Sequence, residues 1–471
     1  MPERTGHWRV LLLAVGAVAV TPVTARAQSL EDAMVSAYLT RPELQADRAR
    51  QRALDEDVAR AVSGWRPQVT VSGQYGIGKD RLAYGYLNPP QSVKETINPT
   101  SYAVQLTQPI YDGGKTAADV DRAKSAVKGG LAHDEAVEES VLADAIQHYF
   151  DLYRDQDILG LAEKNVAALQ DELKVIQARF NRQDATVADL QQAQTRLALG
   201  LAQRAAAAGA VAASRSSFKQ VTGLQPIKLA PPPPLPVALL PATRDAAVIL
   251  AVKGPSVREA VQAIKTAQED VKGAESALKP VLSLQLLSEY QSDVSQGQFK
   301  TTYSEVLGNL QIPLYMGGAD YARTREAKTV VGQRRFEADE AREQAIDRVT
   351  RAWEELGTVR ERIGDLQNQV AAANKAWHAM QTEVKVGYRE IIDELNAEQE
   401  FFNAEIALVQ ARHDEAIATF SVLSWSGLLT ARILKLPVMY YDPSVNYKAE
   451  SHRWFGTGIP DNDDVRPASS R

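Results

Sequence analysis

Cysteine is absent from all 471 residues of the chain. That absence excludes a disulfide framework, a thiolate metal site, a cysteine nucleophile and a lipid anchor on an N-terminal cysteine. An excess of positive charge is also missing, since 53 Lys and Arg stand against 59 Asp and Glu, a formal net charge of −6. No segment concentrates basic residues, so the sequence predicts no nucleic-acid partner.

Motifs of catalysis and cofactor binding are missing too. The histidines form no i, i+4 pair and no His-Glu-x-x-His pattern, and there is no Gly-x-Ser-x-Gly elbow. The segment GQYGIGKD at 73–80 nearly fits a phosphate-binding loop, but Asp80 stands where Ser or Thr is required, and no helix follows. The sequence therefore predicts a protein that is not an enzyme and holds no cofactor or metal.

Long apolar runs are scarce. Arg4 and Arg9 precede a short apolar run at 10–20, and the small-x-small site Ala25-Arg26-Ala27 follows it. This pattern predicts a cleaved secretory signal peptide over residues 1–27. No other apolar run reaches the length of a membrane-spanning helix, so the sequence predicts an exported protein without one.

Two halves of the chain repeat each other, a feature that calls for a single repeated architecture. The matches at an offset of 204 are Tyr111-Asp112-Gly113-Gly114 with Tyr315-Met316-Gly317-Gly318, Asp189 with Asp393, and Gly223 with Gly427. Pro42 and Pro67 match Pro255 and Pro280 at an offset of 213. The sequence predicts a first repeat over 28–223, a proline-rich linker over 224–244, a second repeat over 245–430 and a tail over 431–471.

Each repeat carries a long heptad seam, typical of helices that pack side by side. Aromatic residues make up only 7% of the chain and alanine is abundant, which also favours long helices. The pattern predicts helices over 30–64, 116–180 and 184–222 in the first repeat. In the second repeat it predicts a first helix after the linker, then helices over 319–385 and 388–430.

Between the helices lie stretches of period-two alternation, which predict β-hairpins over 67–111 and 280–315. Val69, Val71 and Tyr75 fall on one face of the first strand, with polar residues on the other. Each stretch of about 10–13 residues is near the length of a tilted membrane strand. Aromatic residues gather at the strand ends, as interfacial girdles do: Trp65, Tyr75, Tyr102, Tyr111, Tyr290, Tyr303 and Tyr315. The segments 78–101 and 291–302 are predicted to be loops.

Four strands in lipid would leave two open edges with unsatisfied backbone groups. The chain is therefore predicted to oligomerise, and two, three or four copies would give 8, 12 or 16 strands. Spacing alone leaves these numbers open. The alternative is a soluble four-stranded cap on a coiled coil, which would make the chain a soluble periplasmic adaptor or scaffold protein.

Three motifs resemble the TolC family of outer-membrane channels: Trp65-Arg66-Pro67 before a strand, QPIYDGG at 108–114, and VGYREIID at 386–393. The resemblance covers about residues 29–430. It implies an α+β membrane protein, in which four β-strands from each chain of a homotrimer complete a 12-stranded barrel in outer-membrane lipid. The long helices would form a coiled-coil tunnel through the periplasm.

The resemblance also implies the partners and the role. Family members dock onto a periplasmic adaptor (membrane fusion) protein and an inner-membrane pump of the ABC or RND type. They serve as gated, passive exit ducts in efflux or type I secretion. Drugs and polypeptides remain open as substrates, because both use the same architecture.

The helical turns at 181–189 and 385–393 lie at the far ends of the helices from the strands, so they are predicted to form the periplasmic entrance. The resemblance places gate residues at Asp189, Arg389 and Asp393. Arg389 is expected to bridge to Asp189, and Asp393, repeated by symmetry, to ring the pore with negative charge.

Gln183, Gly387 and Asn396 are also assigned to the entrance turns. Two residues depart from the family pattern: Val384 stands where some members have a gating Tyr, and Asn396 stands where some have a second Asp. The tail resembles those of secretion-type members, and it is expected either to wrap the middle of the tunnel or to be partly disordered after Asp461.

Overall fold

The structure is a computed structural model that describes residues 27–84, 91–226, 228–294 and 300–459. Residues 1–26 of the predicted signal peptide and the tail beyond residue 459 lie outside this range. The helices are α1 (Leu30–Thr40), α2 (Pro42–Val62), α3 (Lys115–Asn181), α4 (Val187–Thr222), α5 (Arg244–Ala251), α6 (Pro255–Ser276), α7 (Ala319–Lys385), α8 (Ile391–Trp425) and α9 (Pro443–Glu450). The strands are β1 (Gln68–Tyr75), β2 (Gly78–Tyr84), β3 (Gln91–Ile97), β4 (Thr100–Tyr111), β5 (Val281–Ser292) and β6 (Lys300–Gln311).

Two helices of 67 residues, α3 and α7, set the dimensions of the molecule. At 1.5 Å per residue each is about 100 Å long. Both begin at a left-handed glycine, Gly114 with φ 88° and Gly318 with φ 84°, which turns the chain out of the preceding strand. The long helices therefore start beside the sheet and end far from it.

The prediction of one helix over 30–64 was wrong, because the helix is broken at Pro42. Proline has no N–H to donate and disfavours helical geometry in the preceding residue. Arg41 accordingly adopts φ −64°, ψ 119°, and Pro42 begins α2. A capping box opens α1, since Asp32 N donates to Ser29 Oγ at 3.1 Å and Ser29 N donates to Asp32 Oδ2 at 2.9 Å.

The main sheet has four antiparallel strands in the order β1-β4-β5-β6. Residues paired directly across an antiparallel ladder carry their side chains on the same face. One such row reads Val69, Leu106, Leu286, Val306 across all four strands. The next residue along each strand gives Thr70, Gln105, Leu287, Glu305 on the opposite face. One face of the sheet is therefore mainly apolar, and the other is mainly polar.

The prediction that 78–101 is a loop was wrong. β2 and β3, which lie between β1 and β4 in the sequence, pair with each other in a separate two-stranded ribbon. The alternation in this segment is masked by charged residues such as Lys79, Asp80 and Arg81. Such a ribbon extends beyond the four-stranded sheet and needs no apolar face, because it has no layer to pack against.

The largest core cluster lies midway along the helices. It joins α1, α3, α4, α8 and the start of the tail, with Tyr38, Tyr149, Phe218, Leu423 and Leu429 all buried. Tyr149 Oη donates a 2.7 Å hydrogen bond to Ala230 O, which fixes the proline-rich linker to α3. The α+β fold class predicted from the sequence is confirmed.

Helix α4 is an exception to the expected scarcity of apolar segments. Of the described helices, it alone is long and apolar enough to cross a membrane by length and composition. Much of this apolarity comes from alanine at 205–213. α4 lies against α3, where a side chain at Gly200 would come within 2.9 Å of Leu169 Cδ1. Small residues here allow the close approach of two helices.

Candidate functional site

The turn between α3 and α4 closes the first long helix by hydrogen bonds that continue past Asn181. Gln183 N donates to Phe180 O and Asp184 N to Arg179 O, both at 2.9 Å. This pair of bonds is a Schellman motif, which satisfies carbonyls that a helix end leaves unpaired. It requires a left-handed residue, and Gln183 supplies it at φ 66°.

The turn between α7 and α8 repeats this geometry 204 residues later. Gly387 N donates to Val384 O at 3.3 Å and Tyr388 N to Glu383 O at 3.0 Å. Gly387 takes the left-handed position at φ 81°, without the strain that a side chain brings. The two predicted entrance residues, Gln183 and Gly387, therefore have the same role in the backbone.

Asp189 is engaged at the start of its own helix. Its Oδ2 accepts from Thr186 N and Thr186 Oγ, both at 2.8 Å, and Asp189 N donates to Thr186 Oγ at 3.2 Å. This is a capping box, which satisfies the first free N–H groups of α4. Asp189 was predicted from the sequence as a gate residue, but Thr186 was not identified as its partner.

Arg389 and Asp393 lie together on the second turn. Arg389 Nε donates to Glu383 Oε2 at 3.2 Å, and Arg389 Nη1 lies 3.9 Å from Asp393 Oδ2. Within the protomer, Arg389 therefore contacts these two carboxylates, and its expected contact with Asp189 is not among those of the described residues. Glu383 was missed because it lies six residues before Arg389, a spacing that becomes close only after the chain turns.

Asn396 lies within α8 and not in the turn to which the sequence assigned it, and it forms a contact that sequence reasoning also missed. Arg196 Nη2 donates to Asn396 Oδ1 at 2.5 Å and so joins α4 to α8. The two residues belong to different repeats, and their separation in sequence gives no signal. Here the carboxamide, in the place of a family Asp, serves as a neutral acceptor for an arginine.

Apolar side chains from four helices meet just inside the two turns. The cluster contains Leu169 and Ile176 of α3, Leu190 and Ala193 of α4, Val384 of α7, and Ile391 and Leu395 of α8. Val384, at 6% exposure, is part of this cluster. A tyrosine at this position could act as a polar latch, whereas valine contributes to packing.

Three glutamates lie beside this cluster. Glu394 and Glu398 of α8 are 6% and 8% exposed, and neither has a hydrogen-bond or ion-pair partner among the described residues. Burial, followed by the neighbouring charges of Glu172 and Glu394, raises the pKa of Glu398 to about 7. Burial and Glu394 also raise the pKa of Glu172, opposed by Arg179 and Lys385. The region just inside the two turns thus contains a carboxyl whose pKa lies near neutral pH.

A family model described as "Outer membrane efflux protein" matches residues 33–224 and 250–427. The chain belongs to the outer membrane efflux protein family. Outer membrane efflux protein BepC of Brucella suis is 31% identical over 444 residues, which cover 94% of each chain. Outer membrane protein TolC of Escherichia coli K12 is 23% identical over 432 residues, covering 87% of this chain and 84% of TolC.

Solved structures of outer membrane channels share the fold of this chain. The Campylobacter jejuni CmeC outer membrane channel superposes with a TM-score of 0.75 at 16% identity, covering 96% of this chain and 98% of CmeC. The resemblance to TolC-like channels and the outer-membrane location reaching into the periplasm are thereby confirmed. The protein is an outer-membrane exit of the efflux or type I secretion kind, and its relatives are channel proteins. The soluble adaptor alternative is not supported.

Among the described residues there is no group of three or more His, Cys, Asp or Glu side chains that could hold a metal ion. The two turns and the cluster beside them carry ion pairs, capping hydrogen bonds and a buried acid.

Proposed function

We propose that three copies of the chain form a gated, passive duct across the outer membrane and the periplasm. The observation that carries this proposal is the placement of two features at opposite ends of the same long helices. A sheet with one mainly apolar face lies at one end, and helical turns that carry charged residues lie at the other. Three four-stranded sheets would complete a 12-stranded barrel, while the helices would enclose a tunnel.

The edges of the sheet support assembly into a closed barrel. β1 pairs only with β4 and β6 only with β5 within the described residues, so each has a free edge. Backbone groups on a free edge cannot be satisfied in lipid. Joining β6 of one protomer to β1 of the next would remove every such edge in a closed ring.

The gate is proposed to lie at the turns. Arg389 is half exposed beside Glu383 and Asp393, and a neighbouring protomer could place its Asp189 against the same guanidinium. Three Asp393 carboxylates around the axis would favour cations. Opening would require these contacts to loosen, and the duct itself would consume no energy source.

The partners are proposed to be a periplasmic adaptor protein and an inner-membrane pump of the ABC or RND type. The tips of the turns expose apolar side chains, with Val187 at 61%, Val386 at 62% and Tyr388 at 84% exposure. Exposed apolar groups at the end of a helical hairpin are suited to packing against another protein. The substrate would be chosen by the pump.

Conductance of the purified protein in a planar lipid bilayer tests the proposal. Arg389→Ala should raise the current, because the contacts that hold the entrance are lost. Asp393→Ala should lower the preference for cations. The matched controls are Arg351→Ala and Asp347→Ala, which remove an exposed ion pair of 2.6 Å on α7 away from the turns. A protein that never inserts, or equal effects of all four changes, would contradict the duct or its gate respectively.

A further inference from the structure

The tail follows α2 from the middle of the molecule towards the membrane sheet. Tyr38 Oη accepts from Tyr441 N at 3.1 Å. Asp55 Oδ2 accepts from Asn446 Nδ2 at 2.8 Å, and Tyr447 packs against the cluster around Val58. These contacts occur in the same order on the tail and on the α1–α2 segment. The tail is therefore fixed in direction and not free in solution.

The end of this path lies directly below the first membrane strand. Arg66 donates to Arg453 O at 2.8 Å and to His452 O at 3.3 Å, and its Cζ lies 4.5 Å from the centre of the Trp454 ring. β1 begins at Gln68, two residues after Arg66. At about 3.4 Å per residue, Arg66 is roughly 10 Å from Val69, the first residue of the apolar row.

A compact turn presents apolar side chains at this level. The guanidinium of Arg453 donates to Phe455 O at 3.1 Å and to Gly458 O at 2.7 Å, and Gly456 adopts φ 101°. On the outer surface of this turn, the side chains of Trp454, Phe455 and Ile459 are 59%, 86% and 83% exposed. Keeping three large apolar side chains in water is unfavourable, because the free-energy cost grows with the apolar area exposed.

The turn lies at the same end of the sheet as a group of exposed aromatic residues. Trp65, Tyr111 and Tyr315 lie at the same end of the strands and are 50%, 48% and 73% exposed. Tryptophan and tyrosine are favoured at the boundary between headgroups and hydrocarbon, where an amphipathic ring contacts both. The tail would extend this girdle with aromatic groups that do not belong to the barrel.

We propose that the segment 453–459, here termed the tail anchor, inserts Trp454, Phe455 and Ile459 into the periplasm-facing phospholipid layer of the outer membrane. The inference depends on the outer-membrane location and goes beyond the duct function. The tail anchor supplies a protein contact that fixes α2 against the bilayer.

Single spin labels test this contact, and the absence of native cysteine makes each label unique. Phe455→Cys is labelled in the full-length protein, reconstituted in nanodiscs of phosphatidylethanolamine and phosphatidylglycerol. Val71→Cys, on the apolar face of β1, is the lipid reference, and Met439→Cys, 90% exposed on the tail, is the water reference. The label at 455 is expected to collide more with oxygen than with a water-soluble nickel chelate, as at 71 and opposite to 439.

Two results would overturn the tail anchor. A label at 455 that meets the nickel chelate as often as the label at 439 would place the turn in water. A label shielded from both agents would show that protein, including a second copy of the chain, covers it. Ile459→Cys gives an independent measurement if the first variant folds poorly. A label at 71 that collides mainly with the nickel chelate would instead contradict the proposed duct, because β1 would then not face lipid. The absence of conductance in the unlabelled protein would contradict the duct as well.

Discussion

Arg196 donates a 2.5 Å hydrogen bond to Asn396 and so ties α4 of the first repeat to α8 of the second. The bond lies close to the proposed entrance. Because it is exposed to solvent, its net contribution to the stability of this helix contact is about 1 kcal/mol. Arg196→Ala should favour the open conformation by up to about fivefold. Single-channel recording in a planar bilayer would measure the change in open probability.

Arg204 provides the matched control for Arg196. It lies on the same helix, is exposed, and makes no hydrogen bond or ion pair with any other described residue. Arg204→Ala removes the same charge and should leave the open probability unchanged. If the two variants behave alike, the effect is one of charge near the pore and not of the Asn396 contact.

Entrance opening should depend on pH through Glu398. Burial raises the pKa of Glu398 to about 7 from the ordinary 4.5, so the packed state binds the proton more tightly than an unpacked one. The packed entrance is therefore favoured at acid pH and loses stability as pH rises from about 4.5 through 7. Hydrogen exchange in α8 should be slower at pH 5.5 than at pH 8 once the intrinsic effect of pH on exchange is corrected.

Glu398→Gln should remove most of this dependence, because the carboxamide stays neutral throughout. Glu400→Gln, on the exposed face of the same helix, should retain it. An unchanged pH profile in Glu398→Gln would assign the titration to Glu172 or another group.

Gly387→Ala should destabilise the second turn by about 1 kcal/mol, since a left-handed φ of 81° is unfavourable for alanine. Gly364, within α7, has no atom within 4 Å of an added Cβ. Gly364→Ala should stabilise the helix by about 0.5–1 kcal/mol, because alanine is the better helix former. Thermal unfolding, followed by circular dichroism in detergent, should shift in opposite directions for these identical substitutions.

Phe218→Ala should cost about 3–5 kcal/mol, because it leaves a cavity in the largest core cluster. Phe218 is fully buried, with its ring 6.4 Å from that of Tyr149. Phe336→Ala removes the same atoms at a site with 78% exposure and should change stability little in the monomeric state. Denaturant unfolding would compare them, and a large loss at 336 would indicate that this side chain is covered in the assembly.

Much of the architecture could be predicted because it follows from local patterns. The heptad seams gave 116–180 and 319–385, and the structure has Lys115–Asn181 and Ala319–Lys385. The period-two alternation predicted the apolar face that the ladder Val69, Leu106, Leu286, Val306 displays. Such signals repeat along one helix or strand and can be recognised without knowledge of distant neighbours.

The remaining features depend on contacts that sequence spacing does not reveal. The pairing of Arg389 with Glu383 depends on a turn that reverses the chain, and that of Arg196 with Asn396 joins the two repeats. The raised pKa of Glu398 results from its burial and from the neighbouring charges of Glu172 on α3 and Glu394, and no local pattern encodes the burial. The ribbon of β2 and β3 was missed because it has no apolar layer to mark it.

The free edges of β1 and β6 make barrel closure a condition for entering the bilayer. A lone protomer cannot exchange water for lipid without leaving rows of N–H and C=O groups unpaired. Biogenesis must therefore couple subunit encounter to membrane insertion, with kinetics that depend on protomer concentration. Until that encounter, the apolar row would be exposed to the periplasm as an aggregation hazard, so we expect a chaperone to protect the unassembled chain.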